Sequence, residues 1–183
     1  MARKGSTISN SITGEQITWI ETASDTNGAR LVCDFSVRAG GKLPVTHLHP
    51  QQSERFEMSS GRFWIERKGE VNVMGPGDTI TIAQGEPHTW WNEGAETAHM
   101  RVTFTPALNT ETFLEQFFGL CNDGRAKADG TPAFLQIMAM ANRFQIYVAG
   151  PPIIVQKCLS FVLGGIARML GYKSFYPEYS AEH

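Results

Sequence analysis

Along residues 16–104, short runs of β-branched and aromatic residues alternate with polar breaks that carry glycine. The runs ITWIETA, RLVCDFSV, RFEMSS, RFWIER, EVNVM, DTITIA, PHTWWN and AHMRVTFTP each read as a strand. Between them lie DTNGA, RAGGK, SSG, RKGE, GPGD, QGEP and NEGAE, each with a Gly able to take up positive φ. Strand and turn signals spaced every ~8 to 12 residues predict an all-β sandwich or small barrel. No helical period shows in this half.

The period changes after Pro106. NTETFLEQFFGLCNDG sets Phe113, Phe117 and Leu120 at helical spacing, opens at Asn109 or Thr110 and closes at Gly124. A second helix is predicted after Thr131, with Pro132 at its first position, running to near Gly150. A third begins at PPIIVQKCLSFVLGG, with a kink expected at Gly164 and Gly165 and an end before Gly171. The shift predicts a barrel over residues 1–106 and a helical C-terminal extension over 107–183. That extension is expected to pack on the barrel or on a dimer partner.

Composition narrows the partners. Sixteen Lys plus Arg stand against 18 Asp plus Glu, a net charge of −2, which gives no electrostatic reason to expect nucleic acid or an acidic membrane. The most apolar late segment, residues 153–170, is broken by Gln156, Lys157 and Arg168 and is too polar for a membrane span. The N-terminal MARKGSTISNSITGEQ lacks the apolar core of a signal peptide. Cys33, Cys121 and Cys158 are odd in number and widely spaced, as expected for reduced thiols in a cytoplasmic protein.

The five histidines are unevenly used. In VTHLHPQQSE, His47 and His49 are two apart, so on a strand they project side by side, a chelating arrangement. On the strand that follows, Phe56 and Met58 share the parity of Glu54, while Arg55 and Glu57 face out. Trp90 shares the face of His88, with Trp91 opposite. Phe56, Met58, Phe63, Trp90 and Phe104 are expected to line an apolar pocket, the strand of Phe104 presenting either that face or its opposite. His99 is expected on an outward face, and His183 to be disordered at the terminus. Tyr147, Tyr172, Tyr176 and Tyr179 are expected at surfaces or interfaces, unless the extension folds over the barrel mouth and supplies a catalytic phenol.

Two segments carry a resemblance. GKLPVTHLHPQQSERFEMSSG places Gly41, His47, His49, Glu54 and Gly61 in a pattern, and GDTITIAQGEPHTWWN places Gly77, Asp78, Gly85, His88 and Asn92 in a second. These resemble the two motifs of the cupin family, departing once, at Ala83, where the family usually has proline. The tail is similar to the C-terminal extension of a group of small single-domain cupins. The resemblance implies a cupin-type antiparallel β-barrel (double-stranded β-helix or jelly roll) with C-terminal α-helices, a homodimer, and His47, His49, Glu54 and His88 as metal ligands.

Three imidazoles and a carboxylate suit one divalent transition metal, Fe, Mn, Ni, Cu or Zn, and not Ca or Mg. An open coordination position then points to a catalytic site. The expected function is a small-molecule oxygenase of the quercetinase-like dioxygenase class, acting on an aromatic or enolisable substrate with Glu54 as catalytic base. An isomerase, lyase or cyclase working without dioxygen, or a non-enzymatic small-molecule binding module, are the alternatives.

Overall fold

The computed structural model describes residues 2–180, so His183 lies outside the described residues. Ten strands come first: β1 Thr7–Asn10, β2 Glu15–Glu21, β3 Leu31–Val37, β4 His47–Leu48, β5 Ser53–Ser60, β6 Phe63–Arg67, β7 Glu70–Met74, β8 Thr79–Ile82, β9 His88–Trp91 and β10 Ala98–Thr105. Helices α1 Thr110–Asn122 and α2 Phe134–Phe144, the short strand β11 Tyr147–Val148 and helix α3 Ile153–Met169 follow.

The strands form two antiparallel sheets, ordered β1-β2-β3-β10-β5-β8 and β11-β4-β9-β6-β7. Two-residue alternation sorts the side chains. On β5, Glu54, Phe56 and Met58 are buried while Arg55 is exposed, and on β10 Ala98, Met100, Val102 and Phe104 point inward with His99 exposed. The core between the sheets holds Trp19, Leu31, Phe56, Phe63, Ile65 and Met100. Glycine supplies the tight corner between β5 and β6: Gly61 has φ +79°, and a Cβ there would come within 2.7 Å of the Thr97 carbonyl oxygen.

The helices cover part of this barrel. Phe117, Phe118 and Cys121 of α1 belong to the same apolar cluster as the sheet residues, while Leu120, Met140, Phe144 and Tyr176 form a second, smaller one. Gln52, buried in the PQQS bend, donates through Nε2 to the carbonyls of Pro106 (2.7 Å) and Ala107 (2.9 Å) and to Thr110 Oγ1 (2.8 Å). The bend after His49 is thereby tied to the start of α1.

Two expectations for the tail are corrected. The second helix ends at Phe144, because Gln145 turns left-handed (φ 53°), and the next residues form β11 beside β4. Helix α3 runs unbroken through Gly164 and Gly165. A Cβ at Gly164 would sit 2.7 Å from the Met138 carbonyl oxygen, so this glycine serves the close approach of α3 to α2 and does not kink the helix. Two of the three thiols, Cys33 and Cys121, are buried, and Cys158 is exposed. No helix of the described residues is long and apolar enough to cross a membrane.

Candidate metal centre

Three strands and the bend after β4 supply the cluster. His47 of β4 lies directly opposite His88 of β9, and Glu54 of β5 pairs with Phe104 of β10, so the two sheets supply the donors from facing walls. His49 follows β4 and is held by its own carbonyl, which accepts from the Gly85 N–H at 2.8 Å. One donor atom each from His47, His49, Glu54 and His88 all lie within 4.8 Å of one another.

The separations suit a shared ion. Bonds of about 2.1 Å to nitrogen or oxygen put neighbouring ligand atoms about 3.0 Å apart and opposite ones about 4.2 Å. Here His47 Nε2 and His49 Nε2 are 3.0 Å apart, His88 Nε2 and Glu54 Oε2 3.1 Å, and His49 Nε2 and Glu54 Oε2 3.8 Å. The donor set therefore fits one divalent ion by chemistry, and these three separations fit it by size, while the widest, up to 4.8 Å, would close slightly around an ion.

Protonation is arranged to match. Burial, followed by the neighbouring His49 and His88, pushes His47 well below the ordinary imidazole range. Burial likewise lowers His49 to about 4, against the pull of Glu54. Both rings are held neutral at physiological pH, leaving lone pairs available to an ion. His88 goes the other way: burial opposes its charge, but the hydrogen bond to Glu54, the charge of Glu54 and the Glu86 carbonyl outweigh it and raise its pKa. Its Nδ1 donates to the Glu86 carbonyl oxygen at 3.1 Å, and its Nε2 lies 3.1 Å from Glu54 Oε2.

The support of His88 was not legible in the sequence. Glu86 is buried, with Arg67 Nη1 at 3.2 Å and Lys68 Nζ at 3.4 Å. Its carboxylate also accepts from the Ala83 N–H at 3.4 Å. The residue at the one departure from the motif thus contributes a donor that proline lacks. Asn92, the last position of the second motif, donates to the carbonyls of Val37 and Glu96, both at 2.8 Å, and closes the turn after β9.

A cavity of about 220 Å³ opens beside the cluster. His47, His49 and Glu54 line it, together with Phe35, Trp90, Phe104, Phe113, Phe117 and Phe144. Among the expected pocket residues, Trp90 and Phe104 stand in this wall. Phe56, Met58 and Phe63 do not; they are buried in the core, because sharing the inward face of a strand does not fix how deep along the barrel a residue sits. Tyr147 also lines the cavity, from a strand that the sequence pattern did not reveal.

A double antiparallel sheet closed around an inward-facing cluster of three histidines and a glutamate defines a small β-barrel protein with a potential metal site. Residues 34–104 match the family model described as a cupin domain, and the two-sheet barrel has the cupin fold. Over 162 residues the chain is 25% identical to an oxidoreductase of Arthrobotrys oligospora, covering 80% of this chain and 63% of that one. A probable oxidoreductase of Aspergillus niger is 28% identical over 162 residues, 78% of this chain and 61% of its own length. The chain thus spans less than two thirds of both curated relatives. A predicted oxalate decarboxylase from Thermotoga maritima superposes with a TM-score of 0.49 at 15% identity, covering 58% of this chain and 98% of that one.

Proposed function

We propose that this chain is a metal-dependent oxygenase of the quercetinase-like kind, acting on a small aromatic or enolisable molecule. The observation that carries the reading is the position of the His47, His49, Glu54 and His88 cluster on the wall of an otherwise apolar, aromatic cavity. Those four residues would hold one divalent transition metal, Fe, Mn, Ni, Cu or Zn. When bound, such an ion supplies Lewis acidity and, for the redox-active members, a means of using dioxygen as oxidant. The oxidoreductase names of the two curated relatives support an oxidative reaction.

The chain's own residues have separable tasks in this reading. Glu54 is the base that takes the proton from an enol or phenol oxygen of the substrate. The Glu86 carbonyl holds His88 in one tautomer and orientation, so that its Nε2 stays aimed into the cluster. Trp90 and Phe104 offer flat apolar walls to a planar substrate, and with Phe35 and Phe113 they keep water from the reacting end. At about 220 Å³ the cavity lies below the ~300 to 1,000 Å³ usual for drug-sized ligands, which favours a small, narrow substrate over a bulky one.

Incubating iron- or manganese-loaded protein with flavonols and 1,3-diketones while following dissolved oxygen tests this function. Oxygen uptake that depends on both metal and substrate is expected; none across the panel would refute it. A buried base in an apolar cavity also meets the needs of proton transfer alone, so an isomerase, lyase or cyclase is the second reading, and turnover under strict anaerobiosis would select it. Ligand-dependent stabilisation without conversion would instead select a binding module.

A homodimer is part of the proposal. Ile154, Phe161, Val162, Met169 and Leu170 leave an apolar outer face on and just beyond α3, and a two-fold pair needs only one such patch on each copy.

A further inference from the structure

Strand β2 presents Glu15, Ile17 and Trp19 to the barrel interior and turns Gln16 outward. An ionisable side chain therefore occupies the first inward position of a wall that is otherwise apolar. It is 4% exposed, and its one side-chain hydrogen-bond partner among the described residues is the Thr13 hydroxyl, which donates to Oε2. Thr13 is itself buried. Burying a carboxyl group with so little compensation costs stability, and nothing in the barrel's architecture requires an acid there.

Glu15 also lines the cavity that the metal cluster lines. The two lie at different ends of it. Glu15 is opposite Val37 at one end of β3, whereas Glu54 is opposite Phe104, which pairs with Leu31 at the other end. Six residues of strand, roughly 20 Å at ~3.3 Å per residue, separate these ladder positions before sheet twist and side-chain length shorten the gap. Between them the wall is Ile17, Cys33, Phe35, Trp90 and Val102, which offers little to a polar substituent.

We propose that Glu15 is a second polar anchor of this cavity, accepting a hydrogen bond from a hydroxyl group at the end of the substrate remote from the His47, His49, Glu54 and His88 cluster. It selects elongated, largely apolar aromatic substrates that carry oxygen functions at both ends. Burial raises its pKa to about 7, so near neutral pH the carboxyl group can either accept or donate. The assignment rests on the oxygenase reading for its substrate class, but the anchor makes a claim of its own about the far end.

The test compares 3-hydroxyflavone with its 3,4′- and 3,7-dihydroxy derivatives, which share the chelating end and differ only in a distal phenol. Binding to the holoprotein is measured anaerobically by calorimetry, for wild type and Glu15→Gln, with metal content and circular dichroism recorded for each. At least one dihydroxy compound should bind wild type roughly tenfold more tightly than the parent, as one hydrogen bond to a carboxyl group warrants, and Glu15→Gln should cut that ratio to about threefold or less. Should Glu15→Gln fail to fold, Thr13→Val, which removes the hydroxyl that donates to the carboxyl group, should shift the same ratio. A ratio unchanged by the variants, or no preference for either distal hydroxyl, overturns the anchor alone. No binding of any of the three to wild type overturns the substrate class and the anchor with it.

Discussion

Replacing Glu15 by Gln should change how stability depends on pH. Burial, partly offset by the Thr13 hydrogen bond, moves the carboxyl pKa from 4.5 to about 7. The folded state thus holds a proton that the unfolded chain has released, so this group's contribution to stability falls as pH rises from about 4.5 to about 7 and stays low above that. Moving from 4.5 to about 7 at 1.36 kcal/mol per pH unit is a penalty of about 3 kcal/mol at pH 8 that is nearly absent at pH 4.5. Glutamine keeps the size and an amide that can bond Thr13, but carries no titration. Cys121, a neighbouring thiol, is pushed up to about 11, chiefly by burial and less by the charge of Glu15, and stays protonated over this range. Urea unfolding of both proteins at half-unit steps from pH 4.5 to 8.5 gives the difference curve, in which the remaining groups largely cancel. Glu15→Gln should gain about 3 kcal/mol on wild type across the series, or roughly 6 to 12 °C in Tm for a domain of this size. A difference independent of pH would refute the reasoning, by showing that the carboxyl group is solvated in the folded protein.

Phe56→Ala should cost about 3 to 5 kcal/mol in urea unfolding while folded protein keeps its metal content, since Phe56 is core and not cavity wall. Glu86→Ala should weaken metal affinity by roughly 10-fold in a chelator competition, because the turn that aims the Glu86 carbonyl at His88 loses its Arg67, Lys68 and Ala83 contacts. Light scattering should find a dimer that Phe161→Glu together with Met169→Glu converts to monomer; a monomeric wild type would dismiss the α3 interface.

Strand parity carried much of the fold. The alternation of β5 and β10 was visible, and with it the inward placement of Glu54; which face of β10 turns inward stayed open, and the structure puts Val102 and Phe104 inside. Spacing brought His47 and His49 to one face; the register of β4 with β9, a long-range pairing, brings His88 opposite. What parity cannot give is depth, so Phe56 and Phe63 looked equivalent to Phe104 although only Phe104 reaches the cavity. Strand β11 was hidden because two residues carry no period, and because Gln145 ends α2 in a conformation for which Gly or Asn is the usual signal. Glu15 escaped notice at the edge of a polar TGEQ turn, where a carboxylate reads as solvated; only the closure of the barrel buries it.

The central claim is that His47, His49, Glu54 and His88 hold one transition metal ion. Elemental analysis of protein purified without added metal or an affinity tag, with His88→Ala beside it, tests this most directly. About one Fe, Mn, Ni, Cu or Zn per chain in wild type, lost in the variant while the fold persists, is the predicted result. No metal in either protein after reconstitution, or equal metal in both, would contradict it.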